Sequence, residues 1–231
     1  MLQQQLEAVF EELPPAAVKT GMLYSTENIR MVARFLGRRA KRTPLVVDPL
    51  MISTSGAILL QPAAVKILRE KLLPLATLIT PNLDEAQLLA GQKISSPEAM
   101  REAARKIHAR HGAAVLLKGG HLKGTREAMD IFFDGHTELL LAAPFVKGLR
   151  THGTGCTYSA AICAALALGH GLPHAVAIGK DFITAAINDS RRVGKHFVLV
   201  NPQSAITGPA TSAGKTGRRS SRSGAGCSCC S

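Results

Sequence analysis

"LLPLATLITPNLDEAQLLAG", Leu72 to Gly91, carries a strand and the helix that follows it in one short stretch. "ATLITPN" is apolar and rich in β-branched residues, and Pro81 cannot donate into a ladder, so it reads as a short strand that ends there. "NLDEAQLLAG" reads as a helix, with Asn82 at its N-cap and Glu85 three residues on, placed to reach back as a capping box. A strand that turns directly into a helix is the building unit of an α/β fold.

The same alternation extends outward from that stretch. Upstream, "LEAVFEEL" is helical, "AAVKT" is a strand, and "TENIRMVARFLGRRAKR" is a helix opened by Thr26. "PLVVDP" is a strand, and "PAAVKILREKLL" is a helix beginning at Pro62. Downstream, "SPEAMREAARKIHARHG" is a helix and "AAVLLKGG" a strand. "AMDIFFDGHTELLLAAP" reads as a hairpin with Asp134-Gly135 at its turn. Two helices follow, from Gly155 to Gly169 and from Pro173 to about Arg192. Strands alternating with helices predict right-handed crossovers and a doubly wound, mostly parallel sheet with helices on both faces.

Composition agrees with this fold class. The chain has 231 residues, 46% of them apolar, with no Trp and only 7 Phe and 2 Tyr. Its core must therefore be Leu, Val, Ile and Ala, the residues of parallel sheets. No apolar run approaches the roughly 18 residues of a membrane span. "MLQQQLEAVFEELPP" is acidic and amphipathic, which does not read as a targeting presequence. Of 5 cysteines, Cys156 and Cys163 share one apolar helix and Cys227, Cys229 and Cys230 crowd the far end. That is no disulfide framework, and no second ligand pair completes a metal site. A soluble protein of a reducing compartment is expected.

The formal charge of +12 invites a nucleic-acid reading. Its distribution argues against one. Arg34, Arg38, Arg39, Lys41 and Arg42 end one helix, and Lys215, Arg218, Arg219 and Arg222 lie in a Gly/Ser/Arg-rich tail. Neither cluster is interleaved with aromatic residues for base stacking, so a solvated helix end and a basic tail explain the charge better. The same basicity suits an anionic substrate. Residues 1–205 are expected to form the folded domain and 206–231 a disordered tail, because such a composition cannot bury a core. Within the tail, "GPATSAGKTG" resembles a P-loop, but Pro209 stands where a glycine is required and no strand precedes it.

In a doubly wound sheet, ligands bind beyond the carboxyl ends of the strands. Those ends carry Thr20-Gly21-Met22, then Asp48-Pro49, then Pro81-Asn82 with Glu85 one turn on, then Lys118-Gly119-Gly120-His121. A lysine, two carboxylates and an amide thus converge on one rim, where phosphate and a divalent cation would suit them. Asn82 and Glu85 are explained equally by helix capping, and Asp48 before Pro49 by turn chemistry. Lys118 is harder to explain as structure, since a buried strand ending "VLLK" needs water or an anion at its charge. In "THGTGC", Thr151 to Cys156, Gly153 and Gly155 let the backbone form a concave nest, and the following helix adds its positive end. Cys156 there either packs as a small apolar residue or, favoured as thiolate by that dipole, shares a substrate proton.

Taken together, these stretches resemble the ribokinase-like kinases, and within them the hydroxymethylpyrimidine/phosphomethylpyrimidine kinases of thiamin biosynthesis. The matching segments are "KTGML" (Lys19–Leu23), "VVDPLMISTSG" (Val46–Gly56), "LLPLATLITPNLDEAQLL" (Leu72–Leu89), "VLLKGGHL" (Val115–Leu122), "DIFFDG" (Asp130–Gly135) and "THGTGCTYSAAICAAL" (Thr151–Leu166). "STSG" with "FFDG" is similar to the plant and algal enzymes, in which the kinase is fused to a thiamin-phosphate synthase. Most ribokinase-like enzymes carry aspartate as base where Cys156 stands; the thiol is a feature of the pyrimidine kinases and some vitamin B6 kinases. The chain departs from the family in lacking the glycine-rich opening segment with its first strands and the closing "GxGxGP", and Arg150 stands where a neutral polar residue is usual.

The resemblance implies an ATP- and magnesium-dependent kinase of a small aminopyrimidine, with Cys156 as base and Lys118 neutralising the transferred group. It implies Thr151, His152, Gly153, Thr154 and Gly155 as the anion hole, Asn82 and Glu85 at the triphosphate and its magnesium, and Asp48 supporting the metal. Gly21, Met22 and Leu50 would flank the pyrimidine ring. A pyridoxal-type kinase is the alternative on the same site, and a non-catalytic remnant that binds nucleotide is another. A homodimer stays open; no membrane and no nucleic acid are expected, and the compartment would be the cytoplasm, or a plastid in a plant or alga.

Overall fold

Val46 and Val47 are both buried, yet they belong to two different apolar clusters. A strand whose successive residues enter separate cores is covered on both faces, as strands of parallel sheets are. The computed structural model describes residues 1–39, 42–51, 59–120, 122, 127–146, 153–193 and 196–198. The expected tail, Lys41, the "STSG" stretch, His121 and Arg150 lie outside the described residues.

The chain opens with α1 (Leu2–Glu12), followed by β1 (Val18–Thr20), α2 (Thr26–Arg39) and β2 (Leu45–Val47). Next come α3 (Pro62–Ile67), β3 (Leu78–Ile79), α4 (Leu83–Ala90), α5 (Pro97–His111) and β4 (Ala114–Lys118). A hairpin of β5 (Glu127–Phe133) and β6 (Glu138–Pro144) precedes α6 (Thr154–Ala167) and α7 (Leu172–Asn188). The six strands lie in the order β1-β2-β3-β4-β5-β6; β1 to β4 are parallel, and β5 and β6 are antiparallel to their neighbours. The sheet is thus α/β and mixed, with four parallel strands on one side and the predicted hairpin on the other.

Alternation along the strands divides the core in two. Val47, Ile79, Val115, Leu117 and Ile131 face α2 to α5, whereas Val46, Leu78, Leu116 and Phe132 face α6 and α7. In α2, Ile29, Val32, Ala33, Phe35 and Leu36 form the buried stripe at helical spacing. Arg34, Arg38, Arg39 and Arg42 are exposed, so the basic cluster is a solvated helix end. At the hairpin turn, Gly135 has φ +99°, and the Asp134 carboxylate accepts from the backbone N–H of His136 and Thr137.

Two helix boundaries differ from the sequence reading. The helix from Pro62 keeps α geometry only to Ile67, then widens into a π turn at Leu68–Leu72 and tightens into a 3-10 turn at Leu73–Leu75. Pro74 has no N–H to continue the ladder, and its ring crowds the carbonyl one turn back. The last helix ends at Asn188, short of Arg192; the polar run Asn188-Asp189-Ser190 competes for local backbone hydrogen bonds. Arg191–Val193 (β7) instead pairs antiparallel with His196–Val198 (β8). Among the described residues, no helix is long and apolar enough to cross a membrane.

Candidate active site

The capping box at α4 forms as the sequence implied. The Asn82 side chain accepts the Glu85 N–H at 2.9 Å, and Glu85 Oε2 accepts the Asn82 N–H at 2.9 Å. The other Glu85 oxygen accepts the Met51 N–H at 3.4 Å. Glu85 is fully buried, and that burial pushes its carboxyl up to about 7, against the opposing pull of the Lys118 charge. Capping alone does not require a buried acid with a raised pKa; a cation nearby would suit it.

Backbone pairing delivers Lys118 to this corner. The Lys118 N–H donates to the Pro81 carbonyl at 2.8 Å, and Asn82 and Lys118 form a parallel bridge beyond β3. Strand alternation then turns the Lys118 side chain toward α6. Its Nζ donates to Asp48 Oδ1 at 3.0 Å. Asp48 is 1% exposed, so it is no surface turn residue. Thr80 Oγ1 donates to the same oxygen at 3.3 Å, Ser159 Oγ from α6 donates to Oδ2 at 3.2 Å, and the Asp48 N–H donates to the Thr20 carbonyl. Thr80 and Ser159 were not singled out in the sequence; Ser159 follows Cys156 by three positions, a spacing that shares a helix face.

α6 opens at Thr154 behind Gly153, whose φ of +82° suits glycine. The first turn of an α-helix has N–H groups with no intrahelical acceptor, and here that turn includes Gly155 and Cys156. A β-carbon at Gly155 would stand 3.0 Å from Lys118 Nζ, so the ammonium group lies directly against the helix start. Two positive features, the lysine and the helix N-terminus, meet at one point. Cys156 is partly exposed there, and its carbonyl accepts from Ser159 Oγ at 3.1 Å. Cys163, two turns further, packs into the α6–α7 core, where burial pushes its thiol up. Thr151 and His152 lie outside the described residues.

Gly21 and Leu50 come together beside Asp48. A β-carbon on Gly21 would meet Leu50 Cδ1 at 3.7 Å, and the two line a small indentation with Asp48, Pro49 and Leu60. Met22 is 56% exposed at that rim. A larger cavity of about 340 Å³, lined by Val18, Leu36, Leu45 and Leu75 among others, opens at the amino ends of the strands, away from these residues. The rim therefore joins Asp48, Asn82, Glu85, Lys118, Gly155 and Cys156 into one corner, with Gly21, Met22 and Leu50 alongside.

Residues 1–201 match the family described as phosphomethylpyrimidine kinase. A hydroxymethylpyrimidine/phosphomethylpyrimidine kinase of Rhizobium meliloti is 50% identical over 196 residues, covering 84% of this chain and 72% of that protein. A thiamine biosynthesis bifunctional protein of Geobacter sulfurreducens is 46% identical over 197 residues, 85% of this chain. The chain spans 40% of the length of that bifunctional relative. Among solved structures, the Bacillus subtilis pyridoxal kinase in complex with ADP superposes with a TM-score of 0.79 at 35% identity, covering 87% of this chain and 74% of that one.

Proposed function

The chain belongs to the phosphomethylpyrimidine kinase family, and from that premise we propose that it transfers the terminal phosphoryl group of ATP to a small aminopyrimidine. The acceptor is the hydroxymethyl oxygen of the pyrimidine or, in a second turnover, the phosphate already attached. The observation that carries the reading is the Lys118 ammonium group, held by buried Asp48 and set against the first turn of α6. Such a corner favours the negative charge that gathers on a phosphoryl group in flight.

Each residue has a role in this mechanism. Lys118 and the amides of the Thr154–Gly155–Cys156 turn, with Thr151, His152 and Gly153 before it, hold the transferred group. Cys156 Sγ takes the proton of the acceptor hydroxyl as its oxygen bonds to phosphorus and the phosphorus–oxygen bond to ADP breaks. Gly21, Met22 and Leu50 border the ring. Asn82 and Glu85 lie where the triphosphate chain would run.

The residues also fit a magnesium ion. Magnesium keeps several waters and is bound through one or two carboxylates plus substrate phosphates, not by a protein cage. Both Glu85 oxygens accept backbone N–H groups, from Asn82 and Met51, so Glu85 would hold the ion through water, and the cation would favour its buried charge. Both Asp48 oxygens are already occupied by Lys118, Thr80 and Ser159, so Asp48 supports the metal by its charge and by fixing Lys118. The ion, when bound, would neutralise charge on the phosphate oxygens.

The test is ADP release by the purified protein with magnesium, ATP and either hydroxymethylpyrimidine or pyridoxal. The pyridoxal-kinase fold neighbour makes the second substrate a needed control. Turnover with the pyrimidine supports the proposal, and turnover with pyridoxal alone replaces it. Thermal stabilisation by nucleotide without turnover of either would make the chain a nucleotide-binding remnant.

A further inference from the structure

Behind the reactive corner lies a second ion pair that the mechanism does not use. Lys180 on α7 and Asp130 on β5 are 8% and 4% exposed, and Lys180 Nζ donates to Asp130 Oδ2 at 2.7 Å. The same ammonium group donates to the Ala128 carbonyl at 2.9 Å. The other carboxylate oxygen, Asp130 Oδ1, accepts the N–H of Gly119 at 2.9 Å. Gly119 directly follows Lys118, and Lys118 is the residue paired with Asp130 in the β4–β5 register.

We infer that Asp130 and Lys180 are positioning residues for Lys118, holding through the Gly119 amide the point at which its strand ends. The inference rests on the kinase reading for what Lys118 does, but the tether itself is independent of it.

Three observations support a positioning role over a purely cohesive one. A buried ion pair is a weak stabiliser, because desolvation offsets most of its attraction, and an apolar pair of similar volume packs as well. Position is what such a pair adds, through charge-assisted bonds of fixed direction. Second, the chain needs fixing here: β4 ends at Lys118 and continues into Gly119-Gly120, the least constrained backbone available. Third, Gly119 is held from the opposite face as well. A β-carbon there would come within 2.3 Å of the Met129 carbonyl oxygen and 2.4 Å of Met100 Cε, so its backbone lies flush on β5. Tyr158 on α6 faces the same carboxylate; burial and then the Asp130 charge push its phenol well above the usual range. Lys118 is therefore gripped at both ends, its ammonium group by Asp48 and its carbonyl-side neighbour by Asp130.

Two double variants separate position from cohesion. Asp130→Asn/Lys180→Met removes both charges but keeps an oxygen to accept from Gly119. Asp130→Leu/Lys180→Met removes the charges and the acceptor. Both should fold, with melting temperatures within a few degrees of each other; if the leucine variant does not fold, Asp130→Ala/Lys180→Met makes the same comparison. The Gly119 amide should exchange with solvent about tenfold faster without the acceptor, because a protecting bond is lost. In the same variant kcat should fall at least tenfold relative to the asparagine variant, while KM for the pyrimidine and the Kd for ADP stay level. Equal kcat in the two folded variants, or equal Gly119 exchange, overturns the inference. If the unaltered chain releases no ADP, the kinase reading fails by itself. Gly119 exchange and the affinity for β,γ-methylene ATP relative to ADP then decide the tether, which requires the exchange to quicken and that relative affinity to drop in the leucine variant.

Discussion

Lys118 Nζ and Asp48 Oδ1 stand 3.0 Å apart across 70 residues of chain, so the cation ending β4 is secured by the carboxylate just beyond β2. In the proposed mechanism the same pair sets where a phosphoryl group would meet positive charge, so one contact bears on both stability and turnover.

Lys118→Met should therefore act twice. It leaves Asp48 buried without its counter-charge, which costs on the order of 3 kcal/mol in urea unfolding. In the proposed mechanism it also removes the charge that would face the transferred group, which should lower kcat about 100-fold or more. Lys118→Met/Asp48→Asn should recover most of the stability and none of the turnover. Recovery of ADP release in that double variant would remove Lys118 from the mechanism.

The Glu85 carboxyl, raised from 4.5 to about 7, predicts a pH dependence of known sign. Between those values the folded chain holds a proton that the unfolded chain has released, so stability falls as pH rises through that window. The contribution is complete below about 4.5 and gone above about 7. Magnesium favours the ionised carboxylate and must expel the proton below pH 7. Beyond the protons lost by the ADP phosphate itself, magnesium-dependent ADP binding should accordingly release more protons at pH 6 than at pH 8, as titration calorimetry in two buffers measures. Glu85→Gln should flatten both profiles; an unchanged proton release would place the cation elsewhere.

Local signals in the sequence exposed the strand–helix alternation and the Asn82–Glu85 cap, because caps and periodicities are properties of adjacent residues. Asp48 stayed ambiguous for the opposite reason. Before Pro49 it looks like a turn residue, and only the partners Lys118, Thr80 and Ser159, brought together by the sheet, show it to be a buried anchor. The pairing of Asp130 with Lys180 leaves no local signal, because one lies inside a hairpin strand and the other inside an amphipathic helix 50 positions away. Arg191 and Arg192 read as the end of a helix, yet pairing with β8, not their own composition, makes them extended.

Cys156→Ser should discriminate between the two acceptors. A hydroxymethyl group must lose a proton on attack, whereas a phosphate monoester near pH 8 presents an oxygen already ionised. Loss of a positioned base lowers rates by about 100- to 10,000-fold. Phosphorylation of the hydroxymethyl compound should fall in that range, while phosphorylation of its monophosphate falls far less and ADP affinity is unchanged. Equal losses on both substrates would make Cys156 a packing residue of the α6 start.

Removal of residues 208–231 tests where the basic charge acts. Those residues carry Lys215, Arg218, Arg219 and Arg222 with no acid. Any retention of the full chain on duplex DNA should weaken steeply with salt and vanish in the shortened chain, since phosphate contacts alone would carry it. Kinase activity should be indifferent to the deletion. Retention that survives the deletion would assign nucleic-acid binding to the exposed arginines at the end of α2.

Gly155 and Gly119 border the same lysine, and replacing each with alanine should give opposite results. At Gly155 the new β-carbon meets only the far end of the Lys118 side chain, at 3.0 Å, and that end can swing aside. Alanine is also the better helix former, by up to about 1 kcal/mol, so Gly155→Ala should keep or raise the melting temperature. The displaced ammonium group should still lower kcat about tenfold, a loss on the scale of a misplaced catalytic group. At Gly119 the β-carbon would meet the Met129 carbonyl at 2.3 Å, and the backbone of β5 cannot give way without breaking its pairing with β4. Gly119→Ala should cost about 1–3 kcal/mol of stability, as overpacking does, and lower the melting temperature visibly. A stable, inactive Gly155 variant beside a destabilised Gly119 variant is the expected pair. A fully active Gly155→Ala protein would show that the Lys118 ammonium group does not need its seat against the start of α6.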